Sequence, residues 1–172
     1  MNTSLTIGDI IIRCGKVHEI IDVNMRKRND IEEKVIKYQA FYKAKNDFNL
    51  TYTTPSKSLS IHNIRRPISK QEYQDLIKQL STIPQKPIVI DTKKVGDKLN
   101  LNDPFQTVDI IQALWTEKQT SPEGFNNTKQ QILDQALKYL TQEVAYVGDI
   151  SCEDAASLIE KTLQTSHSII KN

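Results

Sequence analysis

Ile64-Arg65-Arg66-Pro67-Ile68-Ser69-Lys70-Gln71-Glu72 divides the chain into two kinds of sequence. Pro67 has no amide hydrogen for a strand ladder or a helix interior, so it ends whatever precedes it. Just beyond it, Ser69 and Glu72 have the spacing of a capping box: the serine side chain accepts from the backbone amide three residues on, and the glutamate reaches back. A helix is therefore expected from Ser69 to about Leu80, with Tyr73, Leu76, Ile77 and Leu80 on one face. That face should pack on the preceding domain or bridge to the next.

Upstream, residues 5–66 have the composition of short antiparallel strands. Ile10-Ile11-Ile12, residues 17–23, residues 35–44 and Leu50-Thr51-Tyr52-Thr53 are rich in β-branched and aromatic side chains. Turn-forming segments separate them: Cys14-Gly15-Lys16, the charged stretch 26–33, and Lys45-Asn46-Asp47. Tyr38, Ala40 and Tyr42 alternate with Gln39, Phe41 and Lys43, as on a strand with one face buried. Strands this short and this closely spaced predict a small barrel of the Tudor or SH3 kind, because closure removes exposed edges.

Downstream, residues 82–102 hold Pro84, Pro87 and a mix of Lys and Asp around Gly96 with no sustained period, and are expected to be a linker. Asp103-Pro104 then reads as an N-cap followed by a first-turn proline, with Val108, Ile111, Leu114 and Trp115 as the apolar set. After Pro122 and Gly124 a second helix is expected from about Asn126, carrying Ile132, Leu133, Ala136, Leu137, Leu140, Val144 and Val147. It should stop at Gly148, taken as the left-handed C-terminal residue. Ser151-Cys152-Glu153-Asp154 reads as one more N-cap, opening a helix through Ala155, Leu158, Ile159 and Leu163. The fold class is thus α+β, an antiparallel β-barrel at 1–68, a helix and linker at 69–102, and a compact helical domain at 103–172.

Composition narrows the function. With 38% hydrophobic and 26% charged residues the chain has the make-up of a globular protein. It has no apolar run near the roughly 20 residues of a membrane-spanning helix, and the start Met1-Asn2-Thr3-Ser4 lacks the order of a signal peptide, so no membrane partner and a cytoplasmic location are expected. Cys14 and Cys152 belong to no Cys-x-x-Cys pair, and His18, His62 and His167 are scattered singly; no metal site and no cofactor are expected. No Gly-rich phosphate loop, Gly-x-Ser-x-Gly elbow or cysteine–histidine arrangement points to an enzyme. Residues 1–80 hold 14 Lys/Arg against 9 Asp/Glu, and residues 81–172 hold 9 against 12, so charge favours the first half as the one to meet a polyanion.

Leu5-Thr6-Ile7-Gly8-Asp9-Ile10-Ile11 resembles the opening of CarD-family proteins, and Leu50 to Pro55 resembles that family's Leu-Thr-x-x-x-Pro strand. The stretch around Arg65-Arg66-Pro67 is similar to the family's exit from its barrel. Ile110 to Trp115, Gly124-Phe125, Glu143-Val144-Ala145 and the acidic-capped helix from Ser151 follow the order of its helical domain. The resemblance implies a bacterial transcription regulator. Its barrel is similar to the polymerase-interacting domain of the transcription-repair coupling factor, and docks by an exposed strand edge on the β subunit of RNA polymerase. On this sequence the expected contacts are Leu50, Thr51, Tyr52 and Thr53, with Arg26 and Arg65 supplying charge around them. Glutamate at Tyr52 or Thr53 is then expected to weaken docking while leaving the barrel folded.

The resemblance also implies that the helical domain reaches promoter DNA, where a tryptophan wedges into the minor groove beside two arginines. Aligned back from Leu114-Trp115, the wedge falls at about Ile88 and the arginines at about Ile90 and Asp91, so the trio itself is absent. Ile88 is left as the wedge, with Lys93 and Lys94 as the basic contacts. Trp115 is expected in the core. The chain is expected to act as a monomer. The competing reading is an adaptor whose acidic helical domain contacts protein and does not bind DNA. The plainer accounts of single features are a self-neutralising turn for Arg26-Lys27-Arg28, a surface pair for Arg65-Arg66, and core positions for Tyr38, Phe41, Tyr42 and Tyr52 rather than an aromatic cage.

Overall fold

The computed structural model describes residues 5–28, 31–43, 50–82 and 90–168. The chain falls into two units, Met1–Pro67 and Ile68–Asn172, a sheet followed by helices, so the α+β class holds. In the first unit β1 (Ile10–Arg13), β2 (Lys16–Arg28), β3 (Ile31–Ala40) and β4 (Thr51–Pro55) form an antiparallel meander in the order β1-β2-β3-β4. Cys14 and Gly15 alone join β1 to β2, both at positive φ (48° and 67°), which is the two-residue turn whose twist matches paired strands.

A bulge interrupts β2 between Ile20 and Asp22. Ile20 lies opposite Tyr38, and past the bulge Val23 lies opposite Ile36. The additional residue changes which parity faces inward, so Val23 joins Ile20 on the inner face while Asp22, opposite the exposed Lys37, does not. Ile11, Ile20, Ile36, Tyr38 and Ile64 form the core of this unit, with Leu5, Val23, Tyr52 and Leu59 packed against it.

Three sequence expectations about this unit need correction. The stretch 26–33 is not a broad turn but the far end of the β2–β3 hairpin, where Arg26 faces Glu33 and Lys27 faces Glu32. Opposite charges directly across a ladder contribute roughly 0.2–1 kcal/mol per pair, which sustains strands that bury little. At its other end β3 stops at Ala40, and bends at Phe41 and Tyr42 follow. The sheet is also not closed into a barrel: β1 and β4 are its edges. After a 3-10 turn at Ser56–Ser58 the chain returns to β1 through a single antiparallel bridge, with Ile12 N donating to Arg65 O at 2.7 Å and Arg65 N to Ile12 O at 3.2 Å.

In the second unit α1 (Lys70–Ser81) opens on the expected capping box, Glu72 N donating to Ser69 Oγ at 3.2 Å and Ser69 N to Glu72 Oε2 at 2.7 Å. The expected linker contains a helix, α2 (Val95–Asn100), whose Val95 and Leu99 are buried. Six residues hold only this one apolar pair, too few for a period to show. Residues 83–89, with the expected wedge Ile88, lie outside the described residues. Then come α3 (Pro104–Thr120), capped by Asp103 through the amides of Phe105 and Gln106, α4 (Asn127–Gly148), capped by Asn126, and α5 (Cys152–Ser168), with Ser151 accepting from Asp154 N.

α3 packs against α1, α2, α4 and α5, and both Ile110 and Ile111 are buried on it, so it is the central helix. Gly148 is not the left-handed residue after α4. Asp149 takes that conformation (φ 53°), and Gly148 is the last residue of the helix. Its missing side chain instead admits Tyr73 of α1: a β-carbon there would lie 3.0 Å from Tyr73 Oη.

Candidate functional site

Among the described residues β4 pairs only with β3, so the other side of the strand carries backbone groups without a ladder partner. Its side chains alternate: Thr51 and Thr53 are exposed, Tyr52 is half-buried and Thr54 is buried. Leu50 stands just before the strand, 62% exposed. Of the residues expected to dock, Leu50, Thr51 and Thr53 are exposed at or beside this strand. Tyr52 contributes its backbone there while its ring turns inward.

That ring belongs to a cluster that the sequence reading did not find. Tyr52 stacks on Tyr38 with centroids 5.6 Å apart and planes 20° apart, and His18 lies edge-on to both at 5.4 Å from Tyr38 and 5.6 Å from Tyr52. Arg13 Nη1 donates to Tyr38 Oη at 2.8 Å, its guanidinium lies 4.9 Å from the Tyr52 centroid, and Tyr38 Oη and Thr54 Oγ1 are hydrogen-bonded at 3.1 Å. Burial lowers the pKa of His18 from its ordinary value; the Lys16 carbonyl, 3.0 Å from Nδ1, opposes that shift, and the charges of Arg13 and Lys16 add to it. The period of two was the available signal, since it puts Arg13 on the face of Ile11.

The charged residues of the expected site are dispersed. Arg26 is exposed at the far end of the β2–β3 hairpin opposite Glu33. Arg65 is held in the bridge to β1, at the opposite edge of the ladder from β4, and its Nη1 donates to Arg66 O at 3.0 Å. Arg66 is engaged by Asp9 through both carboxylate oxygens, at 3.1 and 3.4 Å. The Thr6 amide, and after it Arg66, hold the Asp9 carboxyl below its usual range.

In the helical unit Lys93 and Lys94 are exposed just ahead of α2, but they stand beside acid groups. Asp91 accepts from Lys93 N at 3.0 Å, and its carboxylate is 4.0 Å from Lys94 Nζ. Ile90, aligned with a family arginine, is half-buried. Trp115 is half-buried on α3, its indole N–H enclosed without an acceptor among the described residues. The firm polar structure lies elsewhere, in contacts that hold α1. Gln112 on α3 is buried and its amide donates to the carbonyls of Gln79, Leu80 and Thr82, capping the end of α1. Gln79 in turn donates to Asp109 at 2.7 Å, whose pKa is raised by burial. Buried Glu143 on α4 accepts from Ile68 N at 3.0 Å and fixes the entry to α1. Among the described residues no helix is long and apolar enough to cross a membrane.

A four-stranded antiparallel sheet in one unit, followed by helices arranged around α3 in the other, defines a two-part α+β protein. The family model described as CarD, C-terminal domain, matches residues 75–160, half of the chain, and the chain belongs to the CarD family. Membership makes it a transcription-related protein and implies an interaction with RNA polymerase in general terms. No curated protein matches the chain.

Proposed function

We infer that the protein is a bacterial, cytoplasmic transcription regulator that docks on the RNA polymerase β subunit through the free edge of β4 and modulates promoter-complex stability through its helical unit. The observation that carries this reading is the unpaired outer side of Thr51–Pro55, which offers backbone donors and acceptors to a partner strand while Thr51 and Thr53 face outward. The bridge from Ile12 to Arg65 ties the chain leaving β4 back to β1 by one backbone pair, which supports reading the open sheet as Tudor-like. The protein acts by position, as a monomer, and catalyses no reaction.

The test is a fluorescence titration of the isolated N-terminal lobe of the β subunit. Wild type is expected to bind at micromolar concentration and Thr53→Glu at least ~10-fold more weakly, with stability unchanged within about 0.5 kcal/mol. Equal binding by the variant moves the interface away from β4.

One observation favours a second reading. Lys93 and Lys94 share their turn with Asp91, which partly offsets their charge, and this suits a helical unit that contacts protein rather than phosphates. Promoter DNA whose signal does not change on adding the protein to polymerase selects the adaptor.

A further inference from the structure

β1 and β4 are the two edges of the ladder, three strand spacings apart, or about 14 Å across a flat sheet. Arg13 on β1 nevertheless donates to Tyr38 on β3 and lies 4.9 Å from the centre of the Tyr52 ring on β4. Side chains from the two edge strands thus meet over the inner face, and the β2 bulge bends the strand between them.

The inward residues of β4 are both tied to this one arginine. Tyr52 lies under the guanidinium and against Tyr38, and Thr54 shares the Tyr38 hydroxyl that Arg13 also holds. Backbone bonds to β3 fix the register of β4 but leave its rotation about that hinge free, and side chains on the inner face must set it. A cation held over an aromatic face and a hydrogen bond from a charged donor are stronger than the neutral contacts around them.

We propose that Arg13 is a positioning residue for the edge strand: it sets the angle at which β4 presents Thr51, Thr53 and their outer backbone groups to an incoming strand. The anchoring of β4 stands on the geometry alone, and only its effect on binding rests on the docking reading above.

The experiment compares Arg13→Met, which keeps the aliphatic stem, and Tyr38→Phe, which keeps the ring stack and removes the shared oxygen, with Arg13→Lys, which keeps a cation. In amide hydrogen exchange on the full chain, Arg13→Met and Tyr38→Phe should accelerate the amides of β3 and β4 by ~10-fold while the β1–β2 ladder stays within about 2-fold; Arg13→Lys should restore most of the protection. Acceleration spread evenly over the sheet, or none, overturns the proposal. In the β-lobe titration Arg13→Met should bind ~10-fold more weakly than wild type. Equal binding by the two overturns the positioning role. Failure of wild type to bind overturns the docking reading instead, and the exchange pattern alone then decides the role of Arg13.

Discussion

Tyr38 is fully buried, and its hydroxyl remains satisfied because Arg13 and Thr54 reach it from two other strands. The same cluster makes His18 a reporter of acidity. Its folded pKa lies below the ordinary 6.5, so as pH falls through 6.5 the unfolded chain takes up the proton first. Stability is whole above that pH and declines below it until the folded pKa is reached, with a slope of up to about 1.4 kcal/mol per pH unit. Urea titrations between pH 5 and 8 should show the decline, and His18→Phe should flatten it. Tyr52 and Thr53 are expected to diverge sharply. Tyr52→Glu pushes a carboxylate into the aromatic cluster and should cost more than about 3 kcal/mol in urea unfolding, whereas Thr53→Glu should melt like wild type. The sequence treated the two alike because alternation tells which residues share a face without saying which face is inside. The bulge hid more, since one unpaired residue near Ile21 reverses the parity that would otherwise put Asp22 inside.

Among the elements, the helices that announce themselves by a cap are the ones the sequence locates best: Ser69, Asp103 and Ser151, the three expected caps, all accept first-turn backbone amides. Central packing escapes such reading, because α3 is surrounded by other helices and shows no clean polar face. The Gln112 cap on α1 is invisible for a related reason, being formed between residues about thirty positions apart in sequence. Gln112→Leu leaves the carbonyls at the end of α1 unpaired and should destabilise the helical unit by about 1–3 kcal/mol in urea unfolding. Ser69→Ala removes half of the capping box and should cost about 1 kcal/mol in the same measurement. Sole among the aromatic side chains of its kind, Trp115 makes its fluorescence a direct monitor of that unit.

For the whole molecule, charge sets what the helical unit can hold. Residues 81–172 carry 9 basic against 12 acidic side chains, and the basic residues ahead of α2 are partly matched by Asp91. If Lys93 and Lys94 are its phosphate contacts, binding to DNA should be weak, with a salt slope no steeper than about −2 on logarithmic axes. Fluorescence anisotropy of a promoter duplex at two salt concentrations, with and without polymerase, measures it. The residues that the sequence assigned to docking emerge on one edge because a single short strand carries them. The arginines assigned beside them were joined by composition alone, and the fold sends Arg26 to a hairpin tip and Arg65 to the far edge.

An open strand is also a hazard between identical copies, and Pro55 bears on that. A proline in an edge strand is tolerated where its missing hydrogen would have pointed away from the ladder, so the donor lost at Pro55 is one the outer edge would have offered. The row available to a newcomer is therefore brief and broken at one end, and exposed Lys57 stands just past it. It suffices for a partner held by other contacts, yet resists lateral stacking into fibres. Pro55→Val should mend the row and raise light scattering at high protein concentration while leaving the melting temperature nearly unchanged. Colloidal stability, on this view, is set by one missing hydrogen.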